Sequence, residues 1–142
     1  YRYNKKEEKY KKTRLQNGDR CLLAIIDTKI VGYLWIMKDY MELSQNRHIL
    51  LSESKVFFYR VFILERYRGK RIASLMYHYG KNLLGSEGKK KVILNIDKAN
   101  TASIKAAKIS GFRNIGGFES FKILSLEYNS MEKYLKDYLM KE

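Results

Sequence analysis

The sequence predicts an α+β (α/β) domain, a mixed central sheet flanked by helices. Three observations carry this. A β-branched and aromatic run at Lys55 to Leu64 (KVFFYRVFIL) is followed by an apolar helical stripe, then by the short apolar run Val92 to Ile96. That order is a β-α-β unit, with parallel strands and a right-handed crossover. Two more apolar runs, Cys21 to Ile26 and Ile30 to Met37, enclose the turn Asp27-Thr28-Lys29 and read as an antiparallel hairpin. A chain of 142 residues, 45% of them hydrophobic, suits one ordinary core, so residues 1–142 are taken as a single domain.

The elements follow in order. Arg2 to Gln16 reads as a charged helix stopped by Asn17-Gly18. Its seven basic residues outnumber Glu7 and Glu8, and only Tyr3, Tyr10 and Leu15 could line an apolar face. Such a helix is either peripheral or packs on something upstream of Tyr1. Met41 to Ser54 shows no period and reads mostly as loop. Arg66 to Arg71 is a basic loop around Gly69. Ile72, Leu75, Met76, Tyr79 and Leu83 recur at helical spacing, giving a helix over Ile72 to Leu84 closed by Gly85 and Gly88. Asn100 suits an N-cap for a helix over Thr101 to Ser110, with Gly111 as its stop. Phe112 to Ile115 and Phe121 to Tyr128 are strand candidates around Gly116-Gly117. Met131, Tyr134, Leu135, Tyr138 and Leu139 form the stripe of a last helix. Core packing explains that stripe, and a homodimer contact is the other use for it.

Composition narrows the function. Net charge is +14, which favours an anionic partner such as nucleic acid, acidic lipid or a phosphorylated small molecule. No apolar run is long enough to span a bilayer, so no membrane role is expected. One cysteine, Cys21, excludes a disulfide framework and a cysteine zinc site, and it reads as core. With two histidines, His48 and His78, and no spaced ligands, no metal is expected.

The chemistry-bearing segment is the strand, basic turn and helix start at Glu65 to Ala73 (ERYRGKRIA). Free N–H groups and the dipole at a helix start attract anions. Between Arg60 and Arg71 five basic residues stand against Glu65, a net +4 beside that helix start, and a pyrophosphate is the natural guest. The segment is neither GxxxxGK[ST] nor GxGxxG.

Arg68-Gly69-Lys70-Arg71-Ile72-Ala73 resembles the acetyl-CoA signature of the GNAT N-acetyltransferase superfamily: Arg or Gln, two residues, Gly, one residue, Gly or Ala. Arg68 and Ala73 fit, and Arg71 stands where the family usually has glycine. A second match is Asn100, Ser103, Ile104, Gly111 and Phe112, in the family's register. A third is Ile30-Val31-Gly32-Tyr33. Over Arg2 to Tyr128 the order of elements agrees as well. The family's first strand and helix have no counterpart and are expected before Tyr1.

The resemblance implies a GNAT-like mixed sheet in which two parallel strands, Lys55–Leu64 and Val92–Ile96, splay apart. It implies a cytoplasmic enzyme using acetyl-CoA as cosubstrate and a primary amine as acceptor, with direct attack of the amine. Backbone groups near Phe62 and Ile63 would hold the pantetheine and thioester oxygen. Amides of Gly69, Lys70, Arg71, Ile72, Ala73 and Ser74, beside Arg68, would hold the pyrophosphate. Asn100 would bond the pantetheine arm while also capping its helix.

The catalytic groups are not matched. The family's acid, a tyrosine seven residues after the Asn, corresponds to Ala107. The strand before the turn lacks the family's carboxylate base, with Tyr59 and Arg60 in its place. The candidates that remain are Tyr59 and Asp97, the latter following the second strand. A substitute tyrosine or water, unassisted thiolate departure, or acyl-CoA binding without turnover would each accommodate these gaps. From a different class, the +14 surface could serve a nucleic-acid-binding module, but no recognised DNA or RNA motif is present and the tyrosines are scattered.

Overall fold

The computed structural model describes residues 5–44, 47–123, 126–131 and 133–141. Helix α1 (Lys5–Gln16) leads to strands β1 (Arg20–Ile26), β2 (Lys29–Met37), β3 (Tyr40–Ser44), β4 (Arg47–Leu50) and β5 (Lys55–Ile63). A single 3-10 turn (Glu65–Tyr67) precedes α2 (Ile72–Ser86), then β6 (Lys91–Leu94) and α3 (Thr101–Ile109). The chain continues with β7 (Phe118–Ile123), β8 (Leu126–Met131) and α4 (Lys133–Met140). The main sheet has the order β1-β2-β5-β6; β5 and β6 are parallel and the other neighbours antiparallel. This is the mixed α+β sheet that the sequence predicts.

Side chains alternate across a strand, so β2 and β5 each feed two cores. Leu34, Ile36, Val56 and Phe58 face α2 and α3, where they meet Met76, Tyr77, Leu84 and Ala107. Trp35, Met37, Phe57 and Tyr59 face the other way, against Met41, Ile49, Leu135 and Leu139. Helix α4 therefore docks through Leu135 and Leu139, while Tyr134 is exposed. Fully buried Lys55 fixes the same corner, its Nζ donating to Ser52 Oγ at 2.7 Å and to the carbonyl of Lys141. A cation there also complements the C-terminal end of α4.

Several boundaries differ from expectation. Residues 41–54 are not mostly loop, because Tyr40–Ser44 and Arg47–Leu50 pair as an antiparallel hairpin. Met41 and Ile49 face each other on its buried side, too few apolar positions to show a period. Phe112 to Ile115 forms no strand; Phe112 packs edge-on to Tyr77 at 5.6 Å instead. The expected strand over Phe121 to Tyr128 is two strands, β7 and β8, and Met131 ends β8 rather than starting α4. The first helix is described over Lys5–Gln16, and the expected positions Arg2 and Tyr3 lie outside the described residues.

Helix α2 is also rotated from its apparent stripe. Leu75 and Tyr79 are exposed at 66% and 63%, while Met76, Tyr77, Gly80 and Leu84 are buried. The reason is Gly80, where the helix lies so close to the sheet that a Cβ would stand 2.7 Å from the Phe58 ring. Gly85 lies inside the helix rather than beyond it.

This contact gives a test. Gly80→Ala must push α2 off Phe58 and should cost about 1–3 kcal/mol. Urea unfolding checks it, and unchanged stability would contradict the close approach.

Candidate active site

The site begins where β5 and β6 stop pairing. Their parallel ladder runs from Lys55–Lys91 to Phe58–Leu94 and goes no further. Just beyond, β5 carries one residue more than β2 between the pairs Tyr59–Trp35 and Phe62–Tyr33. The extra residue is a bulge, with Arg60 in the left-handed region at φ 47°. The distal half of β5 then stays with β2, and Gly32 allows this. A Cβ on Gly32 would stand 2.7 Å from the Phe62 carbonyl oxygen and 2.6 Å from Ile63 Cδ1.

Between the parted strands lies a cleft of about 170 Å³. Its walls are Phe58 to Val61 of β5, Leu94 to Asp97 at the end of β6, Asn100 and Ser103 of α3, with Leu34 and Tyr77 from the sheet and α2. That volume suits a thin chain rather than a ring system. The Phe62 carbonyl points at β2, as does Leu64 N–H, which donates to Val31 O at 2.9 Å. By strand alternation the backbone groups of Ile63 and Val61 take the open edge. Ile63 O accepts from Arg68 Nε at 3.1 Å.

The basic turn follows β5 directly. Arg68 is extended, Gly69 has φ 75° and Arg71 has φ 61°. Nothing lies within 4 Å of a Cβ on Gly69, so this glycine answers to backbone conformation and not to crowding. Arg71 occupies the N-cap of α2, and no side chain caps that helix. Its first amides therefore have no intrahelical acceptor. Arg68, Gly69, Lys70 and Arg71 are exposed, while Ile72, Ala73 and Ser74 are half-buried. Ser74 is tied to α3 through its Oγ on Ala106 O and its carbonyl on Ser110 Oγ, both at 3.3 Å. Lys70 and Arg66 lie over the Tyr67 ring at 5.2 and 5.1 Å.

Asn100 caps α3, its Oδ1 accepting from Ser103 N–H at 3.1 Å. Its remaining amide can only donate. Asp97 is exposed, and its Oδ1 accepts from Ala99 N–H at 2.8 Å to close the turn before α3. Ala107 is buried in the apolar cluster behind the cleft.

Tyr59 is placed differently from a free catalytic phenol. Its hydroxyl donates to Asp19 Oδ2 at 2.8 Å, and the Arg14 guanidinium lies 5.6 Å from its ring. Burial, then the Asp19 hydrogen bond, raises its pKa far above the usual tyrosine range. Arg14 also donates to Tyr40 at 2.6 Å and pairs with Glu42 and, at 3.6 Å, with Asp19. Burial raises the Asp19 carboxyl against the opposing pull of Tyr59 and Arg14. This buried network explains how α1 docks: Leu15 is 56% exposed, and the helix is anchored by Arg14 instead. The sequence signal was thin, a single Asp19 after the Asn17-Gly18 stop. Among the described residues, no three His, Cys, Asp or Glu side chains gather as a metal would require. Nor, among them, is any helix long and apolar enough to cross a membrane.

The family model described as "Acetyltransferase (GNAT) family" matches residues 1–112. The chain belongs to the GNAT acetyltransferase family. The GNAT match takes in β1 to α3, hence both strands of the cleft and the whole basic turn. It makes the chain an acyltransferase. Among solved structures, AAC(6')-Iy in complex with a bisubstrate analog, CoA-S-monomethyl-acetylneamine, is similar at TM-score 0.67 and 15% identity, over 85% of this chain and 81% of that one. A transcriptional regulator from Bacillus halodurans C-125 gives TM-score 0.62 at 18% identity, over 86% and 79%. An N-acetyltransferase from Staphylococcus aureus Mu50 gives 0.61 at 17%, over 80% and 63%. At these identities the likeness is one of fold. No curated protein sequence matches the chain.

Two predictions test the site's construction. Arg71 holds a left-handed conformation that costs a side-chain-bearing residue about 1 kcal/mol. Arg71→Gly should therefore raise the melting temperature by roughly 2–4 °C; a fall would mean that the arginine side chain holds the turn. The second concerns pH. Tyr59 and Tyr77 are both raised above 10 by burial, so the unfolded chain releases these protons first and stability falls as pH climbs past 10. Tyr59→Phe should cost about 1–3 kcal/mol at neutral pH, by leaving Asp19 without its donor, and should flatten that alkaline decline. An unchanged slope would contradict it.

Proposed function

We propose that this GNAT protein transfers an acetyl group from acetyl-CoA to a primary amine by direct attack. One observation carries the reading: β5, which walls the cleft as far as Val61, runs on into a basic turn and an uncapped helix start bearing Arg68, Lys70 and Arg71. Walls that mix apolar side chains with hydrogen-bonding groups, beside an open strand edge, suit the pantetheine arm with its amides, and amides of residues 69–74 suit a pyrophosphate. The structural neighbour AAC(6')-Iy, holding a CoA-linked analog, supports the same class of ligand.

Acetyl-CoA brings the activated thioester, and the protein's part is to bind and orient it. On the open edge of β5, Val61 N–H and C=O can pair with the arm as a further strand would. Asn100 offers its amide as a donor to a pantetheine carbonyl. Phe62 contributes its chain to the β2 side and a ring stacked on Tyr33 at 5.3 Å, which stiffens the wall. Asp97 stands exposed at the mouth, where a carboxylate can attract an ammonium acceptor. Tyr59 stays protonated at neutral pH and is held by Asp19, so it serves the wall and not proton removal. The alternative, binding without turnover, draws on the alanine at position 107 and on this tethering of Tyr59.

Titration of the full chain with acetyl-CoA should give saturable heat. Ala73→Asp should weaken it at least tenfold. An acid in the first turn favours the helix itself, so lost binding would report repulsion of the pyrophosphate and not unfolding. Absence of saturable binding by both acetyl-CoA and CoA would overturn the proposal. CoA thiol release that depends on an added primary amine separates transfer from binding alone.

A further inference from the structure

The cleft holds a polar group that has no hydrogen-bond partner among the described residues. Five titratable side chains are buried among the described residues: Arg14, Asp19, Lys55, Tyr59 and Tyr77. The first four pair with one another or with Tyr40, Glu42, Ser52 and Lys141. Tyr77 does not. It is 1% exposed, lines the cleft, and makes only ring contacts, stacking on Phe58 at 6.3 Å and meeting Phe112 edge-on at 5.6 Å. Its other neighbours are apolar: Leu34, Met76, Leu84 and Ala107 share its cluster. Burial alone raises its pKa, to about 12, so it is a neutral phenol at any physiological pH. A phenylalanine would fill the same space without the cost of desolvating a hydroxyl. A buried donor left open in a binding cleft calls for an acceptor that arrives with the ligand.

Position says which acceptor. Phe58 is the last β5 residue paired to β6, so Tyr77 stands at the closed end of the cleft. The basic turn follows the opposite end of β5. A ligand with its pyrophosphate at that turn and its arm along β5 delivers its sulfur end toward Tyr77. Resting on the CoA reading above, we propose that the Tyr77 hydroxyl donates a hydrogen bond to the CoA sulfur and stabilises the departing thiolate. As the amine nitrogen bonds to the acetyl carbon, the C–S bond breaks and its electron pair goes to sulfur. The phenol keeps its proton throughout. The surplus proton on nitrogen goes to solvent, and the products are the amide, CoA thiolate and that proton. Helix α2 thus supplies the donor that α3 lacks at Ala107.

The test compares CoA with desulfo-CoA, each titrated calorimetrically at pH 9 into the full chain and into Tyr77→Phe. The native chain should bind CoA about tenfold more tightly than desulfo-CoA. Tyr77→Phe should lose at least fivefold for CoA and nothing for desulfo-CoA. Its melting temperature without ligand should be unchanged or higher, since the ring packing is kept and the orphan hydroxyl is gone. Equal loss for both ligands would mean ring packing only, and no loss would mean no contact with sulfur; either overturns the assignment. Failure of the native chain to bind either ligand is a different result, and it would remove the CoA reading itself.

Discussion

The structure depends on one interruption, the end of the β5–β6 ladder after Phe58 and Leu94. A parallel pair ordinarily continues until one strand turns away. Here β5 goes on for five more residues, bound on one side only. The Arg60 bulge turns the strand, and Gly32 lets β2 hold the turned segment closely enough to keep it ordered. Everything that makes the cleft a site follows from this. The open edge, the basic turn at its end and the capped start of α3 all lie around the gap.

The bulge also separates two kinds of wall. Below the sheet, α2 presses on Phe58 through Gly80, so the closed end of the cleft is closely packed against apolar side chains. Above it, Tyr59 is held by a buried network in which Arg14 and Asp19 are the charges. Removing Arg14 would leave the buried Asp19 carboxylate without its cation, which is more costly than the pair is stabilising, whereas Arg14 without Asp19 would still have Glu42. Some of the 29 basic residues have local partners of this kind. On α1, Lys11 and Lys12 pair with Glu7 and Glu8. The exposed cations of the basic turn are unlike these, since no carboxylate pairs with Arg68, Lys70 or Arg71 among the described residues.

The sequence made the β-α-β unit legible because strand and helix periods differ sharply over residues 55–96. The Asn100 cap was legible too, because its chemistry is local: one side chain and an amide three residues on. The basic turn before a helix start was legible as a run of cations around Gly69, but not that Arg71 adopts the left-handed conformation that glycine takes freely. What escaped was whatever depends on contacts distant in the chain. The α2 face is set by Gly80 against Phe58, and glycine carries no apolar signal. The β3–β4 hairpin buries only Met41 and Ile49. Tyr59 resembled a candidate because its strand position was right, whereas its hydroxyl is engaged by Asp19, 40 residues away. Tyr77 carries no sequence signal because it lies beside the apparent stripe, and its lack of a partner among the described residues is a property of the packed core alone.

The central claim is that the gap between β5 and β6 receives the pantetheine arm of CoA. A crystal structure of the protein with CoA tests it most directly. The account predicts the arm between Val61 and Asn100, the pyrophosphate on the amides of residues 69–74, and the sulfur beside Tyr77. CoA bound elsewhere, with β5 and β6 parted around nothing, would contradict it.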